Sequence, residues 1–196
     1  MLPERTYAAL PTEQVNSKSR ALDRLSTRRL LLLMNREDAG VPRAVGRVLP
    51  QIERAVELIV AALRGGGRWW MLGAGTSGRF AVLEAAECPP TFNTPPSMVQ
   101  AIMAGGPQSV FRSREGAEDD RDAAWRAVGR SVRPGDAVVG IAASGVTPFV
   151  ESALASARRQ GASTILLTCN RSASAVRTAQ VVIAPSVGPE IIAGST

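Results

Sequence analysis

The stretch Met71–Cys88, MLGAGTSGRFAVLEAAEC, decides the fold. An apolar run, Trp69–Leu72, stops at Gly73, and an apolar-periodic segment follows the glycines. That is the pattern of a strand, a glycine turn and a helix. In the turn, Gly73-Ala74-Gly75-Thr76-Ser77-Gly78, backbone amides are free to converge on an anion at the helix N-terminus, where the aligned peptide dipoles add to the attraction. The same six residues spell G-x-G-x-x-G, the dinucleotide fingerprint, which also needs an acidic residue about 20 positions on, at the end of the next strand. The next expected strand, Met98–Met103, closes on Ala104-Gly105-Gly106 with no Asp or Glu. Thr76 and Ser77 suit a phosphate monoester or a sugar better than a pyrophosphate packed on bare glycine. A purely structural tight turn stays open beside that reading.

Upstream, Gly65-Gly66-Gly67 closes a helix expected from Val41-Pro42 to Leu63, whose apolar stripe includes Val45, Val48, Ile52, Val56, Ile59 and Leu63. Pro50 is expected to kink or divide it. A shorter helix is expected over Asp23–Met34, with Asp23 or Ser26 as its cap. Residues 1–22 read as an extended polar arm, since Pro3 and Pro11 oppose helix. Downstream, helices are expected at Gly116–Val128, Pro148–Arg159 and Ser172–Thr178. Strands are expected at Ala137–Ala142, Thr164–Thr168 and Val181–Ala184. The alternation predicts an α/β fold: a three-layer α-β-α arrangement on a parallel sheet of about five strands, with an N-terminal helical extension. Ligands of such sheets lie beyond the carboxyl ends of the strands. A second loop of the same kind, Ala143-Ser144-Gly145-Val146-Thr147-Pro148, follows the Ala137–Ala142 strand. Ser144 and Thr147, with the amides of Gly145 and Val146, make a second anion cradle, unless these hydroxyls only cap the helix.

Bulk properties exclude several classes. The 196 residues suffice for one main domain with a full core. No run of about 18 apolar residues is present, so no membrane partner is expected. The opening MLPERTYAALPTEQ has no apolar h-region of a signal peptide, and a cytoplasmic location follows as the default. The net charge is +6, but the arginines are scattered and aromatic residues make up only 4%, too few for stacking platforms, so no nucleic-acid partner is expected. A basic protein acting on an acidic, phosphorylated substrate is the simpler account. Two distant cysteines, Cys88 and Cys169, do not point to a disulfide. Histidine is absent, which removes Ser-His-Asp triads, Cys-His pairs and His-based zinc sites together. Acid or base chemistry near neutral pH must come from carboxylates, or else from Tyr7, Lys18 or a thiol.

The chain resembles the sugar isomerase (SIS) domains, and among them the N-acetylmuramic acid 6-phosphate etherases. The resemblance rests on Leu10-x-Thr12-Glu13-x-x-Asn16, Asp23-x-x-Ser26-Thr27, Gly73 to Arg79, Glu87-Cys88-Pro89-Pro90-Thr91, Ala104-Gly105-Gly106 and Glu115-Gly116-Ala117-Glu118-Asp119. It extends through Ala142-Ala143-Ser144-Gly145, Thr168-Cys169-Asn170 and Val187-Gly188-Pro189-Glu190, in family order. It implies cleavage of the D-lactyl ether of N-acetylmuramic acid 6-phosphate to N-acetylglucosamine 6-phosphate and D-lactate, in cell-wall sugar recycling. It implies no metal or other cofactor, and a homodimer with sites near the subunit interface. The family's two functional glutamates fall on Glu87 and Glu118. Gly75, Thr76, Ser77 and Gly78 in the first loop, with Ser144, Gly145 and Thr147 in the second, are the expected phosphate and sugar contacts. Glu190 and Ser195 complete the expected ligand shell, with Glu13 and Arg79 as weaker candidates. Residues 1–64 are then an arm and helices packing on the core or a partner, and 65–196 the phosphosugar-binding domain. Two departures stand out. Val146 takes a place where the family has a basic residue, and the family continues past Gly194-Ser195-Thr196 into a helical region.

The implied reaction is an elimination: a proton leaves C2 beside the C1 aldehyde of the opened sugar, lactate leaves C3, and water adds back. Two carboxyl groups of separated pKa can supply both base and acid. Glu87, read as lying at the end of its helix before Pro89-Pro90, is expected to be the acid, and Glu118, read in or near the first turn of the Gly116–Val128 helix, the base. From the residues alone, Glu87 is as well read as a helix-end carboxylate and Glu118 as one solvated acid among Glu115, Asp119, Asp120 and Asp122. Ten helical residues separate Ser77 from Glu87, about 15 Å along the axis, so Glu87 is expected to reach a site only across a twofold interface. The competing functions are a sugar-phosphate sensor without turnover and a phosphosugar isomerase.

Overall fold

The computed structural model describes residues 10 and 12–192. Five strands, β1 (Trp69–Gly73), β2 (Val99–Met103), β3 (Ala137–Ile141), β4 (Ser163–Leu167) and β5 (Val181–Ile183), form one sheet in the order β2-β1-β3-β4-β5. Every pairing is parallel. Period-two alternation sends successive residues of each strand to opposite faces, and both faces are apolar. Trp70, Leu72, Val138 and Leu166 pack against α6 (Arg121–Ser131) and α7 (Pro148–Arg159) through Val128, Phe149 and Leu154. Met71, Val139 and Ile165 pack on the other face against α3 (Leu49–Arg64) and α4 (Gly75–Phe92) through Ala55, Ile59, Ala81 and Cys88. This is the three-layer arrangement read from the sequence.

The boundaries differ in several places: the helix expected over Asp23–Met34 runs Thr27–Asp38, the one expected over Ser172–Thr178 is a 3-10 turn, Ser174–Thr178, and four further differences have local causes. The helix expected from Val41 to Leu63 is two, α2 (Val41–Gly46) and α3. Pro50 has no N–H for the carbonyl of Gly46 and its ring crowds that carbonyl, so it divides the run and sits in the first turn of α3. Towards the C-terminus, α4 runs past Glu87 through Pro89 and Pro90 to Phe92 and ends at Asn93 in the left-handed region, φ 53°. Packing of Ala81, Ala85 and Cys88 on the sheet holds it there. Glu87 is therefore not at a helix end. The helix expected from Gly116 starts at Arg121, because the Asp120 side chain caps it by accepting from the amide of Ala123 at 2.8 Å. Glu118 lies just upstream, in a 3-10 turn, Ala117–Asp119. A short helix not anticipated from the sequence, α5 (Gln108–Phe111), follows β2.

Within the arm expected to be extended over residues 1–22, residues 12–22 are turns and short 3-10 pieces, while 1–9 and 11 lie outside the described residues. Asn16 is buried and donates to Glu37 Oε2 at 3.1 Å and to the carbonyl of Pro189 at 3.0 Å, tying the arm to α1 (Thr27–Asp38) and to the C-terminal segment. Ser26, not Asp23, caps α1.

Candidate active site

The strand order makes the site. The chain leaves β1 for β2 on one side and returns to β3 on the other, so the crevice beyond the carboxyl ends of β1 and β3 is the topological switch point. Gly73 of β1 is in register with Met103 of β2 and Ile141 of β3, which brings both hydroxyl-bearing loops to one rim. A cavity of about 430 Å³ opens there, lined by Gly75, Thr76, Ser77, Ser144, Thr147 and Glu118 among others.

In the first loop Ala74 is extended and Gly75 opens α4 with no side-chain cap. The first-turn amides are thus left without an intrahelical acceptor at the cavity edge. Gly78 lies beneath, out of the cavity. A Cβ there would stand 2.5 Å from both the carbonyl oxygen of Gly73 and the sulfur of Met103, so its absence lets α4 sit directly on the strand end.

The second loop is held from below. Thr168 Oγ1 donates to the carbonyl of Ala143 at 3.1 Å, and Asn170 Nδ2 donates to the carbonyl of Ser144 at 3.0 Å; both residues are buried. Gly145 has φ +70°, and a Cβ on it would meet Ala173 at 2.4 Å and Thr168 Oγ1 at 2.7 Å. Like Gly78 it supports the cavity without lining it. Thr147 precedes α7 yet makes no capping bond, and Ser144 Oγ is 3.5 Å from the amide of Val146. Capping alone does not account for these hydroxyls.

The loop from β2 to α6 forms the third wall. Arg79, from the first turns of α4, donates to the carbonyls of Ser109 at 3.1 Å and Val110 at 2.9 Å and to Ser113 Oγ at 3.2 Å. Its charge lines the cavity while its donors clamp this wall in place. Glu118 and Arg114 stand on the same wall.

Three expected site residues lie elsewhere. Glu87 is exposed on the outer face of α4, on the stripe that carries Phe80 and Leu83, which are 59% and 53% exposed, and it does not line the cavity. Glu190 lines a separate cleft with Met34 and Val41. Burial pushes the Cys169 thiol up, and the nearby Glu190 carboxylate adds to the shift. Glu13 accepts a hydrogen bond from Thr12 in the arm. Ser195 and Tyr7 are outside the described residues. Sequence reasoning missed Ser109, Ser113 and Arg114 as cavity residues. Thr168 and Asn170 were visible within a quoted motif but carried no assigned role, because their contribution is a tertiary contact.

Residues 51–158, just over half of the chain, match the family model described as the glucokinase regulatory protein N-terminal SIS domain. The chain belongs to the SIS-domain family. Within it, the chain is 49% identical over 187 residues, 95% of its length, to an N-acetylmuramic acid 6-phosphate etherase of Symbiobacterium thermophilum, covering 62% of that protein. It is 50% identical over all 196 residues to an N-acetylmuramic acid 6-phosphate etherase of Gloeobacter violaceus, covering 63% of it. The chain thus spans slightly under two thirds of the length of these relatives. Among solved structures, phosphoheptose isomerase GmhA from Neisseria gonorrhoeae superposes with a TM-score of 0.65 at 20% identity, covering 81% of this chain and 85% of that one. The SIS fold is therefore common to both, and the resemblance read from the motifs agrees with the named relatives. Among the described residues no helix of this SIS domain is long and apolar enough to cross a membrane.

Proposed function

We propose that this SIS domain carries N-acetylmuramic acid 6-phosphate etherase chemistry, cleaving the D-lactyl ether to give N-acetylglucosamine 6-phosphate and D-lactate. The observation that carries the reading is the convergence of two hydroxyl-and-amide loops and a carboxylate, Glu118, on one cavity at the β1/β3 switch point. Names of the relatives at about half identity support it. The domain division at residue 64 and the cytoplasmic setting belong to the same proposal.

In this mechanism the first-turn amides of α4, with Thr76, Ser77, Ser144 and Thr147, hold the phosphate at the helix N-terminus. The sugar opens to its C1 aldehyde, which acidifies the C2 proton. Glu118 takes that proton, the electron pair forms the C2–C3 double bond, and the C3–O bond to lactate breaks. The departing oxygen needs a proton, which we assign to Glu87 of a second copy. Its exposure on α4 among Phe80 and Leu83 gives it a place on a surface that a twofold contact could cover. Water then adds at C3 and returns a proton to C2. Each carboxyl group contributes about 100- to 10,000-fold.

The test is release of D-lactate from the authentic 6-phosphate, measured with the sedimentation state of the same sample. Lactate release by a dimer supports the reading. Isomerised sugar without lactate identifies an isomerase, and tight binding without turnover identifies a sensor. Activity in a monomer removes the role given to Glu87.

A further inference from the structure

The hydroxyl loops account for a phosphate, but the cavity has a second polar end. On the wall formed by the β2–α6 loop, Arg114 lines the cavity and makes no salt bridge among the described residues. Arg79, the other cation there, has its Nε and Nη2 donors engaged by the carbonyls of Val110 and Ser109 and by Ser113. Ser109 lines the same wall at 3% exposure, and its hydroxyl has no hydrogen-bond partner. A buried hydroxyl without a partner is uncommon and marks a place where an acceptor is expected. These two groups share a further link. The ideal Cβ position at Gly105 lies 2.3 Å from Ser109 Oγ and 3.4 Å from Arg114 Cδ, so both side chains converge over one glycine of the Ala104-Gly105-Gly106 turn.

From this juxtaposition we infer that Arg114 and Ser109 form a second anion subsite, distinct from the phosphate cradle, that takes the carboxylate of the ether substituent. The inference rests on the etherase reading and deepens it. A guanidinium offers a planar fork matched to the two oxygens of a carboxylate, and a serine hydroxyl supplies a third donor. Its place beside Glu118 on one wall puts the anion near the reacting carbons rather than at C6. The neighbouring carboxylates of Glu115 and Glu118 make an isolated dianion unwelcome there, which also favours the singly charged group. Arg114 is thus a specificity-determining residue: it distinguishes the ether-bearing sugar phosphate from the same sugar phosphate without its lactyl arm.

Calorimetric titration of the 196-residue chain with N-acetylmuramic acid 6-phosphate and with N-acetylglucosamine 6-phosphate tests this directly. Arg114→Ala is expected to weaken binding of the lactyl-bearing sugar about tenfold or more while changing the other less than twofold. Arg114→Lys should recover part of that loss, and Ser109→Ala should weaken the same ligand selectively by a smaller factor. Arg114 is exposed, so its variants keep the fold, and circular dichroism of each checks this. Equal weakening of both ligands would place Arg114 at the phosphate and overturn the subsite. Unchanged affinity for both would overturn it as well. Wild-type chain that binds neither sugar would defeat the etherase reading itself, and the subsite with it.

Discussion

The two ends of β1 and β3 treat their polar groups in opposite ways. At the amino end, Asp136 is 2% exposed and its carboxylate is ringed by donors. It accepts from the backbone amides of Arg68 and Arg133, from Trp70 Nε1 at 3.0 Å and from Arg68 Nη2 at 2.7 Å. Arg68 also donates to the carbonyl of Ser131 and stacks on the Trp70 ring at 5.0 Å. At the carboxyl end, first-turn amides, the Thr147 hydroxyl and Arg114 face a cavity without such closure. A satisfied network adds to stability and cannot bind anything further. Open donors bind but leave their desolvation uncompensated until a ligand arrives. Stability and recognition are thus separated by the length of a five-residue strand.

That contrast is open to direct attack. The largest effect expected is at the open end: Glu118→Gln should lower lactate release by about 100- to 10,000-fold with no change in the urea midpoint. A shifted midpoint would mean that Glu118 holds structure instead. At the closed end, Asp136→Ala should cost about 3 kcal/mol in denaturant unfolding, because it leaves the Arg68 charge unpaired beside a buried indole, while affinity for the phosphosugar stays unchanged in the folded fraction. Burial alone would raise the Asp136 pKa, but the hydrogen bonds from Arg68, Arg133 and Trp70 outweigh it and hold the carboxyl below its ordinary value of 3.8. The folded state therefore binds its proton less readily than the unfolded chain. The stability this supplies is complete above the unfolded value and is lost as pH falls through the folded one. Acid titration of Asp136→Asn should lack that part of the low-pH slope.

Gly145 links the two properties. With φ +70° and a would-be Cβ 2.4 Å from Ala173, Gly145→Ala should cost about 2 kcal/mol and also displace the second loop, so thermal stability and phosphate affinity fall together. The smallest effect is expected where neither end is involved. The exposed pair Arg121–Glu151, 2.7 Å apart, should contribute no more than about 1 kcal/mol, and Arg121→Ala should leave binding intact.

Sequence patterning reached the sheet and both loops because each is set by local rules: alternation for the strands, glycine and hydroxyl punctuation for the turns. It missed α5, four residues with no period of their own, and it misplaced the end of α4, where packing of Cys88 overrides two prolines. It grouped Glu190 with the site because motif membership carries no direction, whereas the fold sets it in another cleft; for Glu87 the helical rise alone placed it away from its own phosphate loop, and the fold turns it outward on α4.

What the chain determined by itself, through residue spacing and turn chemistry, is a parallel sheet with two glycine-and-hydroxyl loops at its strand ends, in a sequence without histidine. Which loops share a rim, and which wall Arg79 clamps, were decided by strand order and packing. These are contacts between residues distant in the chain, and no local pattern encodes the register that brings them together.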